Sequence, residues 1–331
     1  MFLDLYMKDK KIAVVIPTYR VLSKIGQVLI RIPDYVSRIY IVDDCCDQGS
    51  GKYVAENFSD SRIEVLFHTQ NQGVGGAVIT GYRKAIEENM DIVVKIDGDN
   101  QMDPSLIPKF LIPLIEGEAD YTKGNRFYNF SDSKEMPKLR LFGNIGLSFL
   151  TKLSSGYWKN FDPTNGYTAI TVDLLRNIPL EKLSKRYFFE SDMLFRLCLA
   201  TAKVMDIPMT AVYGDEQSNL HIRKIFWPFL KGNLRNFAKR VSYKYFLQDF
   251  NMASLELCFG LIFMLFGLIF GGVNWIQNSL QSVATPVGTI IISALSIIVG
   301  FQLFLSFLSY DISNYPDKAI SPRLSGKSEQ K

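Results

Sequence analysis

Residues 92–104 read IVVKIDGDNQMDP, an apolar run that ends on Asp97 and Asp99, one residue apart, then Gln101 and Asp103. Two carboxylates so spaced, where a strand gives way to a loop, can converge on one cation. An all-oxygen donor set selects a hard ion, Mg2+ or Mn2+, over zinc. Mg2+ takes one or two carboxylates and completes its shell with water and substrate phosphates, so the chemistry implied is work on a diphosphate. A calcium loop uses similar alternation, but its sixth position here is Met102 instead of glycine and its twelfth is Pro108 instead of glutamate. QNQGVGGAVITG is not a dinucleotide fingerprint, because Gly73, Gly75 and Val78 break the spacing and it follows the third strand, not the first. It reads as a helix N-terminus where Gly73 lets the backbone approach a ligand or a neighbouring segment. The two histidines, His68 and His221, sit in no recognisable Ser-His or Cys-His setting, which argues against hydrolase chemistry.

The elements that must position these groups are legible as alternating runs. KIAVVIPTY, SRIYIVDD, RIEVLFH and DIVVKIDGD are short, apolar and β-rich. Helical stretches lie between them at 23–31, 51–57 and from Gly75 onward. This alternation predicts a doubly wound, mostly parallel α/β sheet, in which ligands bind at the carboxyl ends of the strands. Tyr19, the Asp43-Asp44 pair, and Asp97 with Asp99 all fall at that edge.

The chain has 331 residues and a net charge of +4, too mild a balance to suggest a nucleic-acid protein. Its four cysteines show no metal or disulfide spacing, as expected on a reducing cytosolic face. MFLDLYMKDKK lacks the apolar core of a cleavable signal peptide. Charged residues nearly vanish between 257 and 310, where two apolar spans, 257–276 and 287–310, are each long enough to cross a bilayer. Arg223, Lys224, Lys231, Arg235, Lys239, Arg240 and Lys244 precede the first span; Lys318, Arg323, Lys327 and Lys331 follow the second. The connector QNSLQSVATP carries no Lys or Arg, so the positive-inside rule puts both chain ends in the cytoplasm. IRKIFWPFLKGNLRNFAKRVSYKYF interleaves aromatics with cations, as an interfacial segment on anionic lipids does. Pro228 and Gly232 predict two short helices there. Gly260, Gly267, Gly271 and Gly272 would let helices pack closely, including those of a homo-oligomer.

VVIPTY, IVDD, NQGVGGA, KIDGDNQMDP, GNR and DPTNGY, in this order, resemble the GT-A glycosyltransferases. The similarity is greatest to polyprenyl-phosphate glycosyltransferases of the dolichyl-phosphate mannose synthase and bacterial polyprenyl-phosphate glucosyltransferase type. FFESDML and YFLQDF ahead of two spans extend it over nearly the whole chain. The resemblance implies a cytosolic GT-A domain over 1–217 and basic amphipathic interfacial helices over 218–250. It further implies a transmembrane hairpin over 251–310, with helices at about 254–276 and 287–310, and a cytoplasmic tail over 311–331. It implies that Pro17, Tyr19, Asp43 and Asp44 hold the nucleotide, with Gly73 and Asp97 also at the nucleotide sugar. Asp97, Asp99 and Gln101 would hold the metal; Arg126 and Arg140 would bind the lipid phosphate. Asp162 would lie beside the reacting sugar, positioning it or stabilising its anomeric charge, with Asp192 in the same class of role. Each has a plainer reading: Asp162 could cap the Pro163 turn, Asp192 could cap or pair within a helix, and the arginines could form surface ion pairs. The implied activity is inverting transfer of a hexose, glucose from UDP-glucose by resemblance, to polyprenyl phosphate at the cytoplasmic leaflet. Two departures stand out: Arg20-Val21 where the family often has Asn-Glu, and Gly98 where alanine is common. A polysaccharide synthase would need a Gln-x-x-Arg-Trp motif, absent here, and more spans. A non-catalytic membrane scaffold is the reading from another class.

Overall fold

IAVVIPT and IVVK carry apolar residues on both sides of the pleat, so both strands must be covered on both faces. In the computed structural model, which describes residues 7, 9–128, 138–210 and 222–324 (side chains outside 138–145 and 222–225), they are neighbours in the middle of a seven-stranded sheet. The strands are β1 (Ile12–Thr18), β2 (Arg38–Asp43), β3 (Ile63–Phe67), β4 (Ile92–Lys95), β5 (Tyr121–Asn125), β6 (Thr168–Thr171) and β7 (Val204–Pro208), in the order 3-2-1-4-6-5-7. All pairings are parallel except those of β6, which runs antiparallel to β4 and β5. The helices are α1 (Leu22–Ile30), α2 (Ser50–Asn57), α3 (Val74–Glu87), α4 (Ile107–Ile115), α5 (Lys138–Ser155), α6 (Val172–Arg176), α7 (Phe189–Leu199), α8 (Ile222–Ser242), α9 (Met252–Leu280), α10 (Val287–Ser313) and α11 (Ser321–Leu324).

Alternation along β1 sorts the two layers. Ile12, Val14 and Ile16 join a buried cluster with Ile25, Val28 and Leu29 of α1 and Phe110 and Leu111 of α4. Val15, on the other face, meets α3 at Gly81. The register sets Thr18 opposite Asp43 and Val15 opposite Lys95, so the carboxyl ends of β2, β1 and β4 lie side by side.

Contacts divide the described residues into two units: those up to Phe237 with those from Pro316 onward, and Ala238–Tyr315. The first unit includes part of the segment expected as a tail. Asp120 is fully buried and accepts the amides of Lys203 at 2.8 Å, Ile320 at 3.0 Å and Ser321 at 2.6 Å. The Ser321 hydroxyl meets that of Thr171 at 2.7 Å.

The expectation of two short helices between sheet and spans is corrected: α8 is one helix through Pro228 and Gly232, followed by a π-helical turn at Tyr243–Gln248. Proline removes one amide near the helix start, and packing outweighs that loss. Phe229, Gly232, Asn233, Asn236 and Arg240 are buried at helical spacing, while Trp227, Lys231, Leu234 and Arg235 are exposed. Gly232 is there for contact, since a Cβ would stand 2.8 Å from the Phe188 ring.

The second unit holds the antiparallel pair α9 and α10, of 29 and 27 residues. At 1.5 Å per residue both exceed the roughly 30 Å hydrocarbon core. Leu265, Phe266, Leu268, Ile269, Ile290 and Ile291 are exposed, unlike residues of a soluble core helix. Three of the glycines read as packing positions serve the hairpin itself: Gly260 lies against Gly300, Gly267 against Ser293 and Ile297, and Gly271 against Ser293, whereas Gly272 meets nothing within 4 Å. Glu256 receives the Ser306 hydroxyl at 2.8 Å. Arg240, fully buried, forks onto Asp311 at 2.6 and 2.9 Å, and Tyr245 donates to the same carboxylate at 2.6 Å.

Candidate active site

Asp43 ends β2 and Asp44 follows it, and both are 3% exposed. Asp43 accepts the amides of Cys46 at 2.7 Å and Gly51 at 2.6 Å, which ties the loop to the start of α2. Asp44 accepts those of Gln72 at 2.8 Å and Gly73 at 2.7 Å and meets His68 Nδ1 at 2.8 Å. The pair therefore organises the backbone of the loops after β2 and before α3. Gly73 gives its amide to Asp44, and a Cβ on it would stand 2.7 Å from the Lys185 carbonyl. Its close approach is to a neighbouring segment, the turn before α7. His68 is a framework residue whose Nε2 meets the Thr80 hydroxyl at 2.9 Å; His221 lies outside the described residues.

Pro17 is within β1, and Tyr19 is exposed just beyond the strand. Arg20, one of the two departures from the family pattern, has φ +57 and forks onto Asp47 at 3.0 and 2.6 Å, with its guanidinium 5.2 Å from the Tyr19 ring. The pair is exposed on both sides.

Beyond β4 the three aspartates separate in role. Asp103 caps the next turn, accepting the Ser105 amide at 3.0 Å and the Ser105 hydroxyl at 2.7 Å, and pairs with Arg31. Asp99 Oδ1 accepts the Gln101 amide at 3.0 Å, leaving the half-buried Gln101 beside it. Asp97 is different: its side chain is 30% exposed, yet its Oδ1 is buried and accepts no hydrogen bond. The Lys95 ammonium stands 3.0 Å from that oxygen, an ion pair without hydrogen-bond alignment. Among the described residues no three Asp, Glu, His or Cys side chains cluster as a metal cage. A partly exposed carboxylate whose Oδ1 carries no aligned hydrogen bond, with a second carboxylate two residues on, fits a hard divalent cation completed by substrate oxygens.

Sequence reasoning missed what stands behind Asp97. Lys95 is 1% exposed and its ammonium also meets Glu190 Oε1 at 3.1 Å. Burial opposes its charge, but the two carboxylates more than offset this and hold it above the usual lysine range. Gly166, from DPTNGY, closes the group: a Cβ there would stand 2.4 Å from Lys95 Nζ and 2.8 Å from Asp97 Oδ2. The signal was a lysine ending the buried strand IVVK, since a buried ammonium requires a carboxylate partner.

Asp162 and Arg126 are brought together. Arg126 donates to Asp162 from its amide at 3.2 Å, from Nε at 2.7 Å and from Nη2 at 2.8 Å, and Asn165 adds a fourth bond at 3.1 Å. Asp162 is 3% exposed with φ +51, a left-handed conformation its bonding network enforces. Burial works against its charge, while the Arg126 hydrogen bonds and charge, with Lys123 further off, outweigh that and hold the carboxyl below its ordinary range. A depressed acid stabilises the fold above its unfolded pKa and ceases to do so as pH falls through its folded value. The thermal midpoint should therefore drop as the pH falls below about 4. Asp162→Asn should flatten that dependence in a melting series. Arg140 lies in α5 among residues whose side chains are outside the description.

Asp192 is fully buried and accepts the Ser184 amide at 2.9 Å and Asn236 Nδ2 at 2.9 Å, with Arg196 at 3.5 Å. It ties α7 to α8, an arrangement that matches the pairing alternative. Asp192→Asn should cost about 1–3 kcal/mol in unfolding experiments while the surviving protein keeps its turnover number.

The mixed sheet has a reversed β6, and carboxylates stand at the ends of β2 and β4, the edge at which α/β sheets bind ligands. The model of "Glycosyl transferase family 2" matches residues 13–178, and the chain belongs to that family. It is 32% identical over 223 residues, 63% of this chain and 88% of the relative, to the UDP-N-acetylglucosamine–dolichyl-phosphate N-acetylglucosaminyltransferase of Methanococcus voltae. It is 30% identical over 206 residues, 61% of this chain and 84% of the relative, to the undecaprenyl-phosphate mannosyltransferase of Micrococcus luteus. The fold is shared with mannosyl-3-phosphoglycerate synthase of Rubrobacter xylanophilus, TM-score 0.56 and 17% identity, covering 75% of this chain and 80% of that one. It is shared too with glucosyl-3-phosphoglycerate synthase of Mycobacterium tuberculosis, solved with Mn2+, UDP-glucose and phosphoglyceric acid, TM-score 0.54 and 17% identity, covering 72% and 82%.

Proposed function

We propose that this glycosyltransferase moves a hexose, glucose from UDP-glucose, to a polyprenyl phosphate at the cytoplasmic membrane leaflet with inversion. The observation that carries the reading is Asp97: a partly exposed carboxylate at the carboxyl end of β4, whose buried Oδ1 is held by the Lys95 charge without an aligned hydrogen bond. A phosphate oxygen of the lipid attacks the anomeric carbon, the new C–O bond forms as the bond to the diphosphate breaks, and the nucleoside diphosphate departs with the electron pair. The acceptor is already ionised near neutral pH, so no general base is required. Asp97 and Asp99, with Gln101 beside them, would hold Mg2+ or Mn2+, which when bound supplies Lewis-acid neutralisation of the leaving diphosphate. Tyr19 and the loops organised by Asp43 and Asp44 would flank the nucleotide. The Arg126–Asp162 pair would present a guanidinium to the lipid phosphate, with Asp162 fixing its fork.

The membrane reading is supported by the outward apolar faces of α9 and α10 and by the exposed Trp227, Lys231, Leu234 and Arg235 of α8. Docking of residues 320 and 321 on Asp120 supports an even number of crossings, with both flanks of the hairpin on the catalytic side. Glucose rests on the resemblance, and the relatives' names carry N-acetylglucosamine and mannose. Membranes containing the protein should therefore be offered labelled UDP-glucose, UDP-N-acetylglucosamine and GDP-mannose, with and without EDTA. Label from UDP-glucose should enter organic-extractable lipid and vanish with EDTA; lipid labelled from no donor would overturn the acceptor assignment.

A further inference from the structure

Lys95, buried, and Glu190, largely buried, are charged and given no task by the transfer reaction itself. Lys95 joins Asp97 at 3.0 Å to Glu190 at 3.1 Å, and the ammonium occupies space that a Cβ at Gly166 would take. Glu190 is 12% exposed and sits in the first turn of α7, which α3 and the turn at 184–186 hold in place. The Asp97 oxygen nearest the ammonium lacks hydrogen-bond alignment, so the pair is held by charge and by the fold. Such a contact can be shared with a second cation without breaking a directional bond. A divalent ion approaching Asp97 alone meets a carboxylate already half neutralised and a fixed positive charge behind it. A diphosphate arriving with the ion brings negative charge of its own and reverses that balance.

Resting on the donor-site reading above, we propose that Lys95, anchored by Glu190, is a positioning residue that neutralises Asp97 in the donor-free site, so that the divalent cation enters with the diphosphate and not before it. Lys95 thus acts through Asp97 and Glu190 acts through Lys95. The two substitutions have opposite signs. Lys95→Met removes the competing charge and strengthens cation binding to the donor-free protein. Glu190→Gln keeps an oxygen for the ammonium but leaves its charge on Asp97 alone, and weakens that binding. A space-filling role would give neither pattern.

The experiment measures unbound Mn2+ by electron paramagnetic resonance over full-length protein in nanodiscs, with and without UDP or GDP, after melting curves have checked each variant's fold. Wild type should bind Mn2+ at least about tenfold more tightly with nucleotide than without. Lys95→Met should raise the nucleotide-free affinity by about tenfold and compress the nucleotide effect, and Glu190→Gln should lower it by about threefold. If Lys95→Met does not fold, Glu190→Gln carries the test alone. The proposal is overturned if a folded variant leaves the nucleotide-free affinity at the wild-type value or moves it in the opposite direction. If neither nucleotide raises Mn2+ binding to wild type, the donor-site reading itself fails and this one with it.

Discussion

Asp97→Asn is expected to lower kcat/KM for sugar transfer by roughly a thousandfold, because a divalent ion stabilising a leaving diphosphate supplies several kcal/mol of the barrier reduction. The amide keeps the volume and the neighbourhood of Lys95, so what is lost is one negative charge at the carboxyl end of β4. Asp103→Asn is the matched control. That carboxylate lies in the same run of alternating aspartates but caps a turn and pairs with Arg31. Its replacement should cost about 1 kcal/mol of stability and leave transfer within severalfold of wild type. Steady-state kinetics in membranes, with melting curves on the same preparations, separates the two. An Asp97→Asn variant that retained a tenth of the wild-type rate would remove the metal site from the mechanism.

Gly166→Ala should be nearly as damaging, by a different route. The added methyl would stand 2.4 Å from Lys95 Nζ, 2.8 Å from Asp97 Oδ2 and 3.3 Å from the Met102 methyl. Three groups must shift, and two of them form the charged pair that sets where Asp97 points. Misplacement on the ångström scale costs about a hundredfold in rate, and a loss of that size is expected here. The helix and sheet signal in circular dichroism should be unchanged, since the contact touches one loop. Undiminished transfer in the folded variant would mean that Asp97 and Lys95 need not hold this geometry.

The first half of the sheet was legible because its strands are continuous apolar runs separated by helices of ordinary length, and β1 to β4 appear where periodicity predicted them. The strands β5, β6 and β7 were not read. YTKGN, TAIT and VMDIP are four or five residues long, and their burial depends on polar partners: Lys123 is 1% exposed only because the Phe161 carbonyl and Asp206 receive its ammonium. Hydrophobic pattern carries no trace of such partners. The pair of carboxylates after β4 was legible from spacing, but the division of labour in FFESDML was not. Glu190 and Asp192 are two residues apart on a helix of 3.6 residues per turn, so they point to nearly opposite sides. One reaches the sheet at Lys95; the other faces Ser184 and Asn236. Which side each carboxylate faced could be read only once the helix was placed. The close approach of Gly73 to the turn at 184–186 likewise involves a segment far away in sequence.

Asp120 has a practical consequence for anyone wishing to study the catalytic half without lipid. That half is not one uninterrupted ribbon: its last pieces are contributed by residues translated after both apolar helices. A fragment stopped at Phe237 would keep the Lys203 amide on Asp120 but strip away those of Ile320 and Ser321, opening a buried acid to solvent. A water-soluble version should therefore be made by splicing residues 316–324 back onto the shortened chain, and supplying them as a separate peptide should partly restore its melting temperature.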